Sequence, residues 1–383
     1  MININDYLTY IKQNERRPIY KVELLRKSDE TPYQTIEGKI ENNSGALTIS
    51  NNEGVRRTVN FNLINFDQFF TPVINTLSLG SKFKLYLGYE INGENFYLPQ
   101  GVFIFDDPTL VSNLSQKLVQ ISGSDKFSML NGQNGGILEG TYKIPVGTKV
   151  SKLVRDILVL NVVNDPIEPL IDPSIENLTI PYEITKRAGE VVSDIIFEAT
   201  FSISAHVYYN SEGRLVVEPE IPDNQKGSIY DFNTDEYNYL SSSKKYLYSE
   251  VYNSTLVQGD NIQNIDIPIT YEAINNDLSD PNSVPNLGYK KVKPIDEYTK
   301  GINTKELAEI RAKWELKKVS ALLSSVDITA LPLYHLDVNQ AITLTDKYVE
   351  SNKERFIIQD INLPIGTSGE ASLTVSMAMD DYD

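Results

Sequence analysis

Two stretches near opposite ends of the chain carry the same order of alternating apolar and polar residues. Each has three short runs, with a polar turn between the first and the second: 78–87, 102–105 and 116–122 near the start, and 336–344, 356–361 and 371–377 near the end. Alternation with a period of two marks strands that have one buried face. Each stretch therefore predicts a three-stranded antiparallel unit, and the pair predicts two small barrels or sandwiches. Duplication and a chance likeness between β-meanders are both open as explanations.

Composition narrows the class of protein. At 383 residues the chain is long enough for two or three domains. Its 52 acidic and 35 basic side chains give a net charge of -17, which repels phosphate backbones instead of neutralising them. A nucleic-acid-binding protein is therefore not expected, although an acidic surface can also serve solubility alone. The chain has no cysteine, which excludes disulfides, thiolate zinc sites and cysteine nucleophiles.

The beginning of the chain lacks a basic region followed by an apolar run, and no stretch approaches the roughly 18 apolar residues of a membrane span. The sequence therefore predicts synthesis in the cytoplasm and no membrane insertion. The 23 tyrosines, together with frequent Asn and Ser, suit exposed sheet surfaces and protein contacts.

The predicted fold is mainly β with an α+β middle. Two tube-like antiparallel β-barrel domains, at 1–130 and 246–383, flank a small α+β domain at 131–245. The first boundary is placed at the glycine-rich segment 131–136, where the apolar periodicity changes from two toward 3.6.

Helical spacing dominates the middle domain. Thr148 is suited to cap a helix, and the apolar residues after it have the spacing of one helix face. The predicted amphipathic helix has on that face Val150, Leu153, Val154, Ile157 and Leu158. A second helix is predicted over 188–199, and a hairpin follows it over 202–219.

The third domain contains a polar segment at about 262–302, which we interpret as an insertion or long loop. A capping box then begins a helix at about 304–323, with Leu307, Ile310 and Trp314 along one face.

Motifs for catalysis are missing from the sequence. There is no metalloprotease motif, no nucleophile elbow and no phosphate loop, and the two histidines, His206 and His335, are interpreted as structural. Acidic residues at strand ends, where loops often carry function, are Asp106, Asp107, Glu218, Asp380 and Asp381. The oxygen-rich segment 275–282 is read first as a loop and only second as a calcium site, because it lacks EF-hand spacing. No catalytic residue, cofactor or metal is predicted, and the chain is not expected to be an enzyme.

The order of elements resembles the central baseplate hub proteins of long-tailed bacteriophages and the N-terminal structural part of tail-associated lysins. The segments that carry this resemblance are 44–49, 55–61, 87–89, 99–103, 119–126, 205–219, 253–259 and 307–316. Each is a common pattern by itself, and their order and spacing over nearly the whole chain make the resemblance.

The resemblance implies a homotrimer in which each subunit gives two barrels, so that three subunits form a pseudo-six-fold ring. Such a ring joins the tail tube to the tail tip in the virion and leaves a lumen for DNA, which would pass without specific binding if acidic residues line it. Implied partners are distal tail and tail tube proteins. Lysins of this kind continue into a further C-terminal region, so a separate tip, fibre or lysin protein is expected to cleave the cell wall or contact the receptor.

Three residues are candidates for the assembly interface. Arg56 and Arg57 are adjacent cations in an acidic chain, which could pair with a neighbour's carboxylates or lie at a solvated strand end. Trp314 could lie at a subunit contact or in an ordinary core. The alternative function is a β protein that binds or cleaves cell-wall polysaccharide, which requires a groove lined by aromatic residues and two close acids.

Overall fold

The computed structural model describes residues 2–70, 78, 80–246, 248–259, 269–295, 302–320 and 324–378. Its helices are α1 (Ile4–Tyr10), α2 (Val150–Leu158), α3 (Val192–Phe201), α4 (Val284–Leu287) and α5 (Lys305–Ser320), and short 3-10 turns lie at Lys126–Met129, Asp223–Gln225, Tyr248–Glu250 and Lys347–Val349. No helix in these ranges is long and apolar enough to cross a membrane.

The chain is mainly β, as predicted. Its first strands are β1 (Pro18–Leu25), β2 (Pro32–Ile36), β3 (Gly45–Ser50), β4 (Arg57–Ile64), β5 (Lys82–Ile91), β6 (Glu94–Phe105), β7 (Thr109–Ser112) and β8 (Lys117–Asp125). The middle strands are β9 (Tyr142–Ile144), β10 (Leu170–Ile171), β11 (Ile184–Lys186), β12 (Ala205–Tyr209) and β13 (Leu215–Pro219). The last are β14 (Ser228–Asn233), β15 (Tyr239–Tyr246), β16 (Ser254–Gly259), β17 (Ile269–Ile274), β18 (Val292–Ile295), β19 (Ser324–Ala330), β20 (Ala341–Asp346), β21 (Ser351–Ile365) and β22 (Ala371–Met377).

The chain divides into two compact units. Unit 1 comprises Met1–Ile221, Lys226–Ser242 and Asp327–Val375, and unit 2 comprises Pro222–Gln225, Ser243–Val326 and Ser376–Asp383. The largest sheet has 14 strands in the order β15-β19-β22-β21-β3-β4-β8-β6-β5-β1-β2, with β20 on β21, β14 on β20 and β7 on β8. Among the described strands this order is open at both ends, and closure into two barrels stays a prediction.

The two stretches singled out in the sequence form matching elements of unit 1. β5 and β6 make a long antiparallel hairpin whose second strand also pairs with β8. β20 and β21 make another antiparallel hairpin, and β21 lies beside β22. Both hairpins have a register shift, at Leu85/Tyr86 and at Leu344/Thr345. The order of three strands is thus similar at the two ends of the chain, although the loop of the first hairpin has two residues and that of the second has four.

The first and last β regions meet directly in one sheet. β21 pairs antiparallel with β3, so that Asp360 lies opposite Ser50 and Ile365 opposite Gly45. The apolar side chains between these ends, such as Leu47 and Leu363, are buried on the same face. Burial on one face fixes the register, because a shift by one residue would expose them.

The predicted α+β segment packs around an apolar core within unit 1 that also takes in Ile104 of β6 and Phe127. Side chains of α2 and α3 pack with those of the antiparallel pair β12 and β13. The cap of α2 differs from the prediction. The N-cap is Lys149, without a side-chain cap, and the Thr148 hydroxyl instead donates to the Pro145 carbonyl oxygen at 2.7 Å. The amphipathic spacing of α2 alone therefore defines where it begins.

Unit 2 contains a three-stranded sheet in the order β17-β16-β18. Two of its strands and α4 lie within residues 269–295, so the prediction of a long loop is wrong for this part of 262–302, and 260–268 and 296–301 lie outside the described residues. Ala308 and Ala312 of α5 pack on the sheet residues Val257, Ala273 and Ile295.

The predicted apolar face of α5 is not its core face. Leu307 and Ile310 are exposed, Trp314 is half-buried, and Ala308 and Ala312 are fully buried. The predicted start of the helix is correct, because the Leu307 backbone N–H donates to the Thr304 hydroxyl at 3.2 Å.

Candidate assembly surfaces and a buried charge cluster

The surface of the unit 1 sheet that faces away from the apolar core carries mostly uncharged polar side chains. The register places Asn362, Thr48 and Thr58 next to one another across β21, β3 and β4. The exposed or half-buried members of this surface, called the polar face below, are Thr48, Thr58, Asn60, Asn62, Gln120, Ser122, Asn362, Ser372 and Thr374, with Asp327 and Asp360 as its charged members. None of these members is a lysine or an arginine.

Hydrogen bonds hold side chains of the polar face in place across neighbouring strands. The Asn362 amide donates to the Thr48 hydroxyl at 3.2 Å, and the Thr374 hydroxyl donates to the Asp327 carboxylate at 2.8 Å. A surface of amides and hydroxyls binds water well but offers no cation to a phosphate.

Two clefts test the polysaccharide alternative. A cleft of about 380 Å³ on the polar face has Asp107 as the one carboxylate among its lining residues. A second, of about 360 Å³, includes Glu30 and Glu212, but both form ion pairs with lysines. Neither of these clefts offers two uncommitted acids, so they give the glycoside-cleaving alternative no support.

A cluster of buried charges lies where β8 runs into the α+β part of unit 1. The Lys126 ammonium lies 2.9 Å from Glu30 and 2.7 Å from Asp165, and it also donates to the Gly213 carbonyl oxygen at 3.0 Å. The Lys82 ammonium lies 2.6 Å from Glu30. The four charged side chains are at most 6% exposed, and two cations balance two carboxylates. We call these four residues the charge cluster.

Tyr209 completes the charge cluster by donating its hydroxyl to Asp165 at 2.7 Å. Burial and the neighbouring carboxylate raise the pKa of this phenol well above its usual value, so it stays a neutral donor. Because these groups are saturated with one another, the cluster is suited to joining structure and not to attacking a substrate.

The candidate residues Arg56 and Arg57 are buried and bind groups of their own chain. The Arg57 guanidinium forms an ion pair with Asp337 and donates to the Gln100 carbonyl oxygen at 3.2 Å. The Arg56 guanidinium lies 4.1 Å from the centre of the Tyr208 ring. The alternative of a solvated strand end is therefore wrong for both, and their part in an assembly interface stays a prediction.

Asp125 holds the start of β4 against the end of β8. Its carboxylate accepts the backbone N–H groups of Arg56, Arg57 and Phe127, each at 2.9 Å. Burial raises the pKa of the Asp125 carboxyl to about 6, against the lowering effect of these hydrogen bonds.

Both histidines lie beside groups of unit 1. His335 is packed against the Tyr7 ring, and its Nδ1 lies 3.3 Å from the Tyr7 hydroxyl. Burial lowers the pKa of the His335 imidazole to about 4. His206 Nε2 lies 3.8 Å from the Glu220 carboxylate.

The acidic residues named from the sequence do not form one site. Asp106 accepts from the Gln133 amide at 3.3 Å, and burial raises the pKa of its carboxyl. Glu218 accepts from the Tyr208 hydroxyl at 3.1 Å. Asp380 and Asp381 lie outside the described residues.

Segment 275–282 forms a loop held by its own side chains. Asp277 and Asp280 accept backbone N–H groups two residues further on, from Ser279 and Asn282, at 2.8 Å each. Within the described ranges, no group of three or more His, Asp or Glu side chains is arranged to hold a metal ion.

Sequence reasoning missed the charge cluster. The only signal for it was a Lys126 placed directly after the buried end of a strand, and its partners Glu30 and Asp165 are distant along the chain. Charged residues at strand ends are usually solvated, so the pattern gave no reason to bring these three together.

No protein-family model matches the chain, and no curated protein matches its sequence. Solved structures of phage and prophage tail proteins, however, share its fold. One is the 43 kDa tail protein of prophage MuSo2 from Shewanella oneidensis, with 14% identity and a TM-score of 0.62 over 96% of this chain and 100% of that one.

Two further tail proteins match over almost their whole length. The tail protein from Neisseria meningitidis MC58 has 11% identity and a TM-score of 0.65, over 94% of this chain and 96% of that one. Prophage tail protein gp18 from Listeria monocytogenes EGD-e has 11% identity and a TM-score of 0.56, over 95% of each chain. At these identities the likeness is one of fold, and it confirms at that level the resemblance noted from the sequence.

Proposed function

We propose that this chain is a structural, non-enzymatic subunit of a phage-type tail, the central hub of its baseplate. The observation that carries the proposal is the extent of the fold match, which takes in 96% of this chain and the full length of the S. oneidensis tail protein. Fold alone does not define function, so the surfaces must supply the rest of the argument.

In this proposal three copies form a ring with pseudo-six-fold symmetry. Each copy gives two barrel-like modules, from the predicted domains 1–130 and 246–383, with the α+β domain 131–245 between them. The similar hairpins β5–β6 and β20–β21 support the idea of two related modules per chain. Two such modules in each of three subunits would match a hexameric tube on one side and a three-fold tip on the other.

The polar face is our candidate for the surface that lines the channel. Its members are amides and hydroxyls, with no lysine or arginine among them. Such a surface offers no cation to replace the counterions of the DNA phosphates, so DNA would pass without being bound. This changes the expectation of an acidic lumen drawn from the net charge, because carboxylates are few there: Asp327 and Asp360 among the members of the face, and Asp107 in its cleft. Passage would depend on the absence of cations more than on repulsion.

In this proposal the protein is synthesised in the host cytoplasm and becomes part of the virion, at the tail baseplate. The ring would contact tail tube and distal tail proteins on one side and a tip, fibre or lysin protein on the other. Cell-wall cleavage would belong to that separate partner.

The test is the absolute mass of the purified chain by light scattering, with negative-stain images of the same peak. A trimer seen as a ring with a central opening is expected. A chain that stays monomeric at every concentration, and in mixtures with tail tube protein, contradicts the proposal.

A further inference from the structure

Helix α5 has a second apolar face that the sheet of unit 2 does not cover. One side of the helix carries residues at i, i+3, i+7 and i+10, which are Leu307, Ile310, Trp314 and Lys317. Leu307 is 44% exposed and Ile310 is 66% exposed, whereas Ala308 and Ala312 on the other side are buried against the sheet. We call the four residues the α5 stripe. A helix with apolar residues on two sides is typical of one that is covered on both.

The charge of α5 is opposite to that of the chain. The helix carries five basic and three acidic side chains, although the whole chain has a net charge of -17. Lys317 lies on the stripe, and the Arg311 guanidinium lies 4.6 Å from the centre of the Trp314 ring at its border. Because Arg311 forms an ion pair with Glu315 of the same helix, the charge that the stripe offers to an acidic partner is that of Lys317.

Unit 1 presents a surface of complementary chemistry. β14 and β20 are parallel neighbours, so the loops that follow them leave the sheet at the same end. These loops carry Tyr237, which is 65% exposed, and Tyr348, which is 83% exposed. We call these two tyrosines, with the loop residues Asp235, Glu236, Lys347 and Glu350, the tyrosine patch. The Lys347 ammonium lies 4.9 Å from the centre of the Tyr348 ring, so the patch has three carboxylates and one cation and is acidic on balance.

The tyrosine patch is built on fixed backbone. Asp346 accepts the Tyr348 backbone N–H at 2.9 Å and also the Tyr239 hydroxyl, which joins the two loops. Glu236 accepts the Tyr230 hydroxyl at 3.2 Å. Exposed aromatic rings on a fixed, acidic base are suited to anchor an apolar, basic helix.

We propose that the α5 stripe of one copy docks on the tyrosine patch of the next copy. A closed ring of three requires a head-to-tail contact between two different surfaces, because a contact of one surface with itself gives only pairs. The stripe and the patch are two such surfaces, opposite in charge and both apolar at the centre. This inference depends on the proposed function for one point, that the chain forms a trimer. What it adds is the contact that closes the ring.

The test is a charge exchange in the full-length chain. Lys317→Glu and Asp235→Lys each place like charges at the contact, and each is expected to weaken trimer formation about tenfold by light scattering at a series of concentrations. Because every copy carries both surfaces, the double variant restores opposite charges and is expected to recover the wild-type association. Ile310→Glu, which buries a charge at the centre, is expected to abolish the trimer.

The matched control is Lys152→Glu, the same charge change on the exposed face of α2, where Lys152 forms an ion pair with Asp156. It is expected to associate like the wild type. If the wild type is a trimer that survives Ile310→Glu and both single exchanges, this contact is wrong and the hub proposal stands. The same holds if the wild type is a trimer and the double variant stays dissociated. A wild type that never forms a trimer overturns both. Circular dichroism of each variant shows that the chain is folded.

Discussion

Among single residues, Lys126 is the one whose removal is expected to cost most. Its ammonium is fully buried between Glu30 and Asp165. In Lys126→Met the two carboxylates keep only Lys82 as a neighbouring cation, which leaves one buried negative charge uncompensated. We expect the free energy of unfolding to fall by about 3 to 5 kcal/mol. Urea unfolding followed by tyrosine fluorescence measures it.

Lys152→Met is the matched control for Lys126→Met, because it removes an ion pair whose side chains are 68% and 44% exposed. It is expected to leave the urea midpoint unchanged within error. Equal midpoints for the two variants would show that the charge cluster does not hold unit 1 together.

His335 predicts how stability depends on pH. Burial lowers the pKa of its imidazole to about 4 from the usual 6.5, so between these values the unfolded chain binds a proton that the folded protein does not. The free energy of unfolding should therefore fall as the pH drops from 6.5 to 4, by up to about 3 kcal/mol from this residue. Urea titrations at several pH values measure it.

His335→Gln is expected to flatten this dependence while keeping a partner for the Tyr7 hydroxyl. Asp125 acts in the opposite direction, because its carboxyl has a pKa of about 6 in the folded protein and so binds its proton more readily there. This contribution is common to both proteins, so the difference between them isolates His335. Parallel curves for wild type and variant would contradict the assignment.

Arg56 and Arg57 could be singled out from the sequence, but the groups that surround them could not be predicted from it. Two adjacent cations on a strand are compatible with solvent, with a neighbouring subunit or with burial. Asp337, the ion-pair partner of Arg57, is 280 positions away in sequence, and only the sheet order brings the two together. Local patterns therefore do not determine the contacts of a charged side chain.

At the scale of elements, the pair β3–β4 depends on a position that has no room for a side chain. A Cβ on Gly45 would lie 1.8 Å from the Asn60 carbonyl oxygen, which is backbone and cannot turn aside. Gly45→Ala is expected to lower the free energy of unfolding by about 1 to 3 kcal/mol or more, because the two strands must move apart. Urea midpoints and soluble yield check this.

Gly140→Ala serves as the control for Gly45→Ala, since a Cβ there meets nothing within 4 Å. It should change the free energy of unfolding by no more than about 0.5 kcal/mol. If Gly45→Ala is tolerated equally well, the close approach of β3 and β4 is not required for the fold.

Periodicity predicted most strands and the helices α2, α3 and α5, because each follows a clear spacing of two or 3.6. It failed for the core face of α5, where alanines pack on the sheet and the larger apolar residues remain outside. A window of sequence shows which residues are apolar but not which of two apolar faces the neighbouring sheet covers. It also missed β17 and β18, since polar and proline-containing runs are typical of loops.

At the scale of the whole molecule, the polar face predicts that the chain does not retain DNA. The variant Asn60→Lys/Asn62→Lys/Gln120→Lys places three cations on this face. It is expected to bind duplex DNA with an affinity that falls with salt, with a slope of about 0.9 per phosphate contact. Fluorescence anisotropy at a series of salt concentrations measures it for wild type and variant.

The control replaces the same three residues with glutamate and should bind no DNA, like the wild type. Tight binding of DNA by the wild-type protein at low salt would contradict the proposed role of the polar face.

The size and symmetry of the assembly could not be predicted from one sequence, because they depend on surfaces that meet only between copies.

The pairing of β3 with β21 has a consequence for how the protein is made. Ser50 and Asp360 are partners, yet they are 310 positions apart in the chain. At translation rates of about 5 to 20 residues per second, β3 waits about 15 to 60 s for its second neighbour. During that time it presents an open strand edge, which can pair with other nascent chains. Ribosomes crowded on one message would therefore be the place where this protein is most prone to aggregate.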